Sequence, residues 1–157
     1  PAIAREVTKA EKNVMFLIVG DGPERVNLEF KIRNSELENS VRLVGEVPHR
    51  DIVRYFRAAD IFFMPSEEEG FPHVLLETMA AGVPYVASDV GGVFEITPPE
   101  LRAFLVAGQD IHAFVRALSR LLASVSEDQN LLASRLQEWA RRFDIGSAVE
   151  RFRHLFA

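Results

Sequence analysis

Two glutamates eight positions apart, Glu69 and Glu77, make the strongest case for chemistry in this 157-residue sequence. Between them lies Gly70-Phe71-Pro72-His73-Val74-Leu75, where Gly70 permits a sharp turn and Pro72 suits the first turn of a helix. The pattern predicts a helix over residues 72–81, closed by Gly82. The amides of Phe71, His73 and Val74 at its start are then donors for an anion or for hydroxyl groups. Glu69 stands just before that helix. Glu77 falls about six residues into it, or about 8–9 Å along the axis at ~1.5 Å per residue. Ionised carboxylates are pure acceptors, so such a pair could hold a sugar hydroxyl at one end and a ribose diol at the other. His73 and Glu77 share a helix face, with Leu75, Thr78 and Met79 packing inward on the other. The competing account is structural, since acidic residues at a helix start complement its dipole. It is preferred for Glu67 and Glu68; for Glu69 and Glu77 the residues alone leave both accounts open.

A second loop, Gly20-Asp21-Gly22-Pro23, follows an apolar run and precedes a helix. Its glycines would let backbone approach a ligand. A tight strand-to-helix turn is the preferred account of them, because the third glycine of a dinucleotide fingerprint is replaced around Val26 and Asn27. Arg25 is the basic residue nearest this loop, and its place one helical turn on argues against its reaching a phosphate there. The four histidines (His49, His73, His112 and His154) lack ligand-like spacing, no Asp-x-Asp occurs, and no serine lies in a nucleophile elbow. No metal site is expected. A paired-carboxylate glycosidase is disfavoured on a small parallel sheet.

The elements that must position these loops alternate. Residues 14–19 form a continuous apolar run expected to be a strand buried on both faces. Residues 23–37 read as a helix, 41–44 as a strand ended by Gly45, 49–58 as a helix with Ile52, Tyr55 and Phe56 inward, and 61–64 as a strand. A strand over 84–87 follows the Glu77 helix. A short helix holding Phe94 and Ile96 comes next, then an edge strand at Leu105 and Val106. Residues 111–124, 129–143 and 147–156 are helical by periodicity, and residues 1–10 read as the tail of a helix. Such alternation implies right-handed crossovers and an open, Rossmann-like parallel α/β sheet with a helical C-terminal tail. Ligands of such sheets bind beyond the carboxyl ends of the strands, which is where both loops fall.

A chain that is 48% hydrophobic and 26% charged is long enough to bury a core, so intrinsic disorder is excluded. Its apolar runs of about five to seven residues are too short to span a bilayer. The absence of cysteine fits a reducing compartment, and a net charge of −5 argues against a general nucleic-acid binder. Opening on a helix tail suggests part of something longer.

The run Ala58-Ala59-Asp60-Ile61-Phe62-Phe63-Met64-Pro65-Ser66, followed by residues 69–92 from Glu69-Gly70-Phe71-Pro72-His73 to Asp89-Val90-Gly91-Gly92, strongly resembles retaining glycosyltransferases of family 4. More narrowly, it is similar to their C-terminal, nucleotide-sugar-binding domain, one half of the GT-B fold. Ile18-Val19-Gly20-Asp21-Gly22-Pro23 and Val41-Arg42-Leu43-Val44-Gly45-Glu46-Val47-Pro48 fall in the family's order, and the likeness is close over residues 11–97. By this resemblance Glu69 would contact the transferred sugar as the catalytic residue, and Glu77 would bind the ribose. Gly70, Phe71, Pro72 and His73 would hold sugar hydroxyls through their backbone, and the amides of Val74 and Leu75 would lie near the diphosphate. Val44, Gly45 and Glu46 would line the base, with Gly20 and Gly22 near the nucleotide. The family's diphosphate-clamping Arg and Lys, the domain's first strand and the acceptor-binding N-terminal domain would all lie upstream of Pro1. Thr97-Pro98-Pro99-Glu100 stands where the family would lead one to expect a Gly/Asn-containing hairpin.

The resemblance thus implies the donor-binding half of a metal-independent enzyme that moves a sugar from a nucleotide diphosphate donor to an acceptor hydroxyl. The anomeric configuration would be kept, no cofactor would be needed, and the 157 residues alone would be inactive. A cytoplasmic location is expected, with peripheral contact to the inner membrane face left open for the intact protein; no transmembrane segment and no nucleic-acid partner are expected. The rival readings are a standalone Rossmann-like nucleotide-binding or protein-interaction module, and a sugar-nucleotide epimerase of the same architecture.

Overall fold

The β-branched and aromatic runs form strands, each close to its predicted place. In the computed structural model, which describes residues 1–143 apart from the side chains of 125–128, β1 spans Phe16–Val19, β2 Val41–Gly45, β3 Phe62–Met64, β4 Tyr85–Ser88 and β5 Leu105–Val106. Every pairing between these strands is parallel: β1 with β2, β3 with β4, and β4 with β5. Parallel neighbours need crossovers. Helix α1 (Ala2–Ala10) precedes β1, α2 (Arg25–Asn34) connects β1 to β2, and α3 (His49–Ala58) leads on to β3. Helix α4 (His73–Ala80) connects β3 to β4, and α5 (Val93–Ile96) with a 3₁₀ turn (Pro99–Phe104) connects β4 to β5. The fold is Rossmann-like α/β, with parallel strands flanked by helices.

The strands lie in two ladders, β1-β2 and β3-β4-β5. The strand predicted to be buried on both faces is not: Leu17, Ile18 and Val19 of β1 remain 45%, 37% and 37% exposed. The reason is that β1 pairs with β2 alone, and no described strand lies along its other edge. The two ladders still share one apolar cluster, in which Val14 and Phe16 meet Ile61 and Phe63 around Val7, Val86 and Phe114.

Strand β4 is buried on both faces. Tyr85 and Ala87 join Leu75 and Met79 of α4 on one side, while Val86 joins Val7 of α1 and Phe114 and Leu121 on the other. The last two belong to α6, one 30-residue helix (Ile111–Ala140) in place of the two predicted segments. No Gly or Pro interrupts residues 111–140. The first half of α6 packs in one cluster and its second half, through Leu136, in the other. Asp110 caps it, accepting from the amides of His112 and Ala113 at 2.8 and 3.2 Å. A 3₁₀ turn (Arg141–Phe143) follows, and the helix expected over 147–156 lies outside the described residues.

Helix α2 is shorter than its pattern. Pro23 and Glu24 form the turn that admits it, and its end is a Schellman turn in which Leu37 N donates to Ile32 O and Glu36 N to Arg33 O. Glu36 takes the left-handed position at φ +55°. Glycine is the usual residue there, so the sequence carried no sign of the stop.

Candidate functional site

The loops that leave the carboxyl ends of the strands touch one another in sequence, and together they make a rim. Gly20 N donates to Gly45 O at 2.8 Å, joining the loop after β1 to the end of β2. Both glycines have positive φ, +123° and +88°, a backbone that side-chain-bearing residues rarely adopt. Gly22 N donates to the Asp21 carboxylate at 2.8 Å, which closes the loop on itself. Arg25 folds back against this loop through the loop's carboxylate. Its guanidinium lies 3.3 Å from Asp21 Oδ2, and Nη1 stands 3.3 Å from where a Cβ on Gly45 would be. Its Nε also holds Glu29 at 2.9 Å, so Arg25 is engaged by two carboxylates.

Val44 is half-buried, Gly45 buried and Glu46 exposed on this part of the rim. Across from it, His49 Nε2 at the start of α3 lies 3.8 Å from Glu77 Oε1. That imidazole, and not His73, is the one beside Glu77: the His73 ring packs edge-on against Phe71, with centroids 5.2 Å apart. Glu77 is the fifth residue of α4, because the helix begins at His73 with Pro72 as its cap. Its neighbours Leu75, Thr78 and Met79 are fully buried, as predicted, and so leave Glu77 on the outward side.

Three expectations about the helix start change. His73 N donates to Phe71 O at 2.9 Å and Leu75 N to Pro72 O at 3.0 Å. The turn into α4 is tight enough to satisfy those two amides internally, so of the expected donors Phe71, His73, Val74 and Leu75 it leaves Phe71 and Val74. Glu67 and Glu68 are exposed in the loop, and the first turn of α4 contains no acidic residue. They are too far ahead of the helix to complement its dipole, whose effect fades beyond the first turn.

Glu69 is half-buried and held from two directions. Ser66 Oγ donates to its Oε1 at 2.7 Å, and Gln109 Nε2, just before α6, donates to the backbone carbonyl of Ser66 at 3.0 Å. The turn after β4 sits directly against the backbone: Gly92 N donates to Gly70 O at 3.0 Å. A Cβ on Gly91 would lie 1.7 Å from Glu69 O, and that residue has φ +52°. Any side chain at position 91 must therefore displace Glu69. Ser66, Gln109, His49 and the Gly91–Gly92 turn escaped a reading confined to local spacing. Only the glycine pair carried a signal, as a strand-end turn; Gln109 is 43 positions from Ser66.

Chemically, the rim offers carboxylate acceptors at Glu69 and Glu77, an imidazole at His49, and backbone groups at Gly20, Gly22, Gly45, Gly70, Phe71 and Val74. Among the described residues no three His, Cys, Asp or Glu side chains cluster closely enough to hold a metal ion. Nor, among those residues, is any helix long and apolar enough to cross a membrane.

A family model described as glycosyl transferases group 1 matches residues 2–141. The amylovoran biosynthesis glycosyltransferase AmsK of Erwinia amylovora is 36% identical over 112 residues, covering 68% of this chain and 28% of its own. The 2-deoxystreptamine glucosyltransferase of Streptomyces kanamyceticus is 30% identical over 117 residues, covering 74% and 30%. Among solved structures, sucrose-phosphate synthase from Thermosynechococcus elongatus superimposes with TM-score 0.78 at 28% identity, over 99% of this chain and 42% of that one. HepE from Anabaena, solved with UDP and glucose, gives 0.77 at 25% identity over 98% and 43%. The chain thus spans between about a quarter and two-fifths of the length of these proteins. With the strand-end rim and a match over nearly all the described residues, the chain belongs to the family of glycosyl transferases group 1.

Proposed function

We propose that these residues form the C-terminal, donor-binding half of a retaining, metal-independent glycosyltransferase of the GT-B architecture and family 4, acting in the cytoplasm. The observation that carries this reading is the rim itself. Glu69 and Glu77 stand on one loop–helix unit at the strand ends, and the Gly91–Gly92 turn fixes the backbone of Glu69. HepE, a relative in structure, was solved with UDP and glucose, which supports a nucleotide sugar as the donor. On this reading Glu77 accepts from the ribose hydroxyls, with His49 beside it. The segment Val44–Gly45–Glu46 faces the base with Gly20 and Gly22 near the nucleotide, the Val74 amide serves the diphosphate, and Glu69 meets the sugar with Gly70, Phe71, Pro72 and His73.

The chemistry then asks little of the protein beyond placement and charge. The anomeric carbon–oxygen bond to the diphosphate breaks, and the acceptor oxygen bonds to the same face of the sugar. The acceptor's proton passes to the departing phosphate oxygen. The acceptor site, the first strand of this domain and the basic residues that neutralise the diphosphate belong, in this proposal, to sequence upstream of Pro1. The edge of β1 along which no described strand lies and the greater length of the relatives support that placement.

The test is an assay of the full-length enzyme with nucleotide sugars, first without and then with acceptor alcohols. Acceptor-dependent release of nucleoside diphosphate, with a product of unchanged anomeric configuration, is expected. A donor whose sugar is altered without acceptor would mean an epimerase, and binding with no turnover under either condition would mean a recognition module.

A further inference from the structure

The relay from Gln109 through Ser66 to Glu69 links the loop before α6 to the carboxylate that the proposed function places against the sugar. We propose that Ser66 and Gln109 are positioning residues that set the pose of Glu69 for sugar transfer; the proposal rests on that reading of Glu69.

A glutamate has three side-chain torsions, and holding its backbone leaves them free. The Gly91–Gly92 turn restrains only the backbone, through the close approach of Gly91 to Glu69 O and the bond from Gly92 N to Gly70 O. The carboxylate needs a separate constraint, and Ser66 supplies it with a hydroxyl donated to Glu69 Oε1 at 2.7 Å. That bond is charge-assisted and short, and so directional. It uses one acceptor site of a carboxylate that has about four, which leaves capacity for a sugar hydroxyl. No described Lys or Arg forms an ion pair with Glu69, so no ion pair among the described residues does this job instead.

Ser66 is itself in the loop after β3, and its own position needs fixing. Gln109 Nε2 does so by donating to the Ser66 carbonyl at 3.0 Å. Gln109 adjoins Asp110, the cap of α6, whose carboxylate accepts two amides of that helix. The α6 helix in turn is packed along both apolar clusters. The loop at the start of this packed helix is thereby connected to Glu69 through two hydrogen bonds, which is how a loop-borne group is held to the tolerance that catalysis needs. Gln109 is exposed, so this bond adds little to the core.

The experiment uses the full-length enzyme and four variants: Ser66→Ala, Ser66→Thr, Gln109→Met and, as reference, Glu69→Ala. Turnover, donor KM, nucleoside diphosphate affinity and thermal midpoint are measured for each. Ser66→Ala should lower kcat about tenfold and Gln109→Met about threefold, with nucleoside diphosphate affinity and thermal midpoint near wild type. Ser66→Thr, which keeps the hydroxyl, should restore most of the lost turnover. Wild-type kcat in both Ser66→Ala and Gln109→Met would overturn the proposal. So would a loss that tracks the thermal midpoint and is not rescued by threonine, because that describes a structural role. If Glu69→Ala itself leaves kcat intact, the reading of Glu69 falls first and the positioning role goes with it.

Discussion

Glu77 and Glu69 sit on one loop–helix unit yet meet different surroundings, and truncating each should separate nucleotide binding from turnover. Glu77 projects from α4 opposite Leu75 and Met79, beside His49. Replacing it with alanine in the full-length enzyme should leave folding intact. It should weaken nucleoside diphosphate binding by roughly 1.5–3 kcal/mol for each charge-assisted hydrogen bond lost. Titration calorimetry reads this directly, and unchanged affinity would remove the ribose assignment. Glu69→Ala should instead lower kcat with little change in nucleotide affinity, since contacts made mainly in the transition state act on turnover. If Glu69→Ala lost affinity and kept turnover, the two roles would have to be exchanged.

At the scale of elements, β4 is the pivot of the three-stranded ladder, and its first residue carries a buried hydroxyl. Thr97 donates its single hydroxyl proton to Val93 O at 2.6 Å, so in the 2.8 Å contact between Tyr85 and Thr97 the tyrosine is the donor. Burial pushes the Tyr85 phenol up to about 12. The folded-state value thus lies above the unfolded one of ~10. The stability contributed by neutral Tyr85 is therefore complete below pH ~10 and is lost as the pH rises towards about 12. Two pKa units correspond to about 2–3 kcal/mol. Denaturant unfolding followed across that range should show the loss, and Tyr85→Phe should flatten it. An equally steep alkaline decline in the phenylalanine variant would assign the effect to another group.

For the molecule as a whole, charge decides how these 157 residues behave by themselves. The rim bears Glu67, Glu68, Glu69 and Glu77, while Arg25 is committed to Asp21 and Glu29. A nucleoside diphosphate would bring about two further negative charges. A unit pair at 4 Å in a surface-like dielectric of ~20 is worth roughly 4 kcal/mol, whereas a helix dipole contributes ~0.3–1 kcal/mol. Even a few repulsions at longer range outweigh the Val74 amide. The isolated chain should therefore bind nucleotide sugars with a Kd of ~1 mM or weaker, with the bare nucleoside bound no worse than its diphosphate. A titration giving micromolar affinity, tighter than for the nucleoside, would show the phosphate site to be complete within these residues.

Local chemistry was enough to read much of this protein. The strands at 16–19, 41–45, 62–64 and 85–88 and the inward packing of Leu75, Thr78 and Met79 follow from apolar runs, period and turn residues, which act over a few positions. The end of α2 was hidden because Glu36 takes a conformation that glycine usually signals. The two halves of α6 merge because both find partners among distant elements, which no local period records. The exposure of β1 depends on which strands flank it, a property of the ladder and not of the apolar run. The same holds at the site. The sequence places Glu69 in a strand-end loop, but only the tertiary structure brings Gly91 against its carbonyl and Gln109, 43 positions from Ser66, into its support. Hydrogen bonds and steric contacts act through space over a few ångströms, so partners far apart in the chain leave no mark on the residues between them.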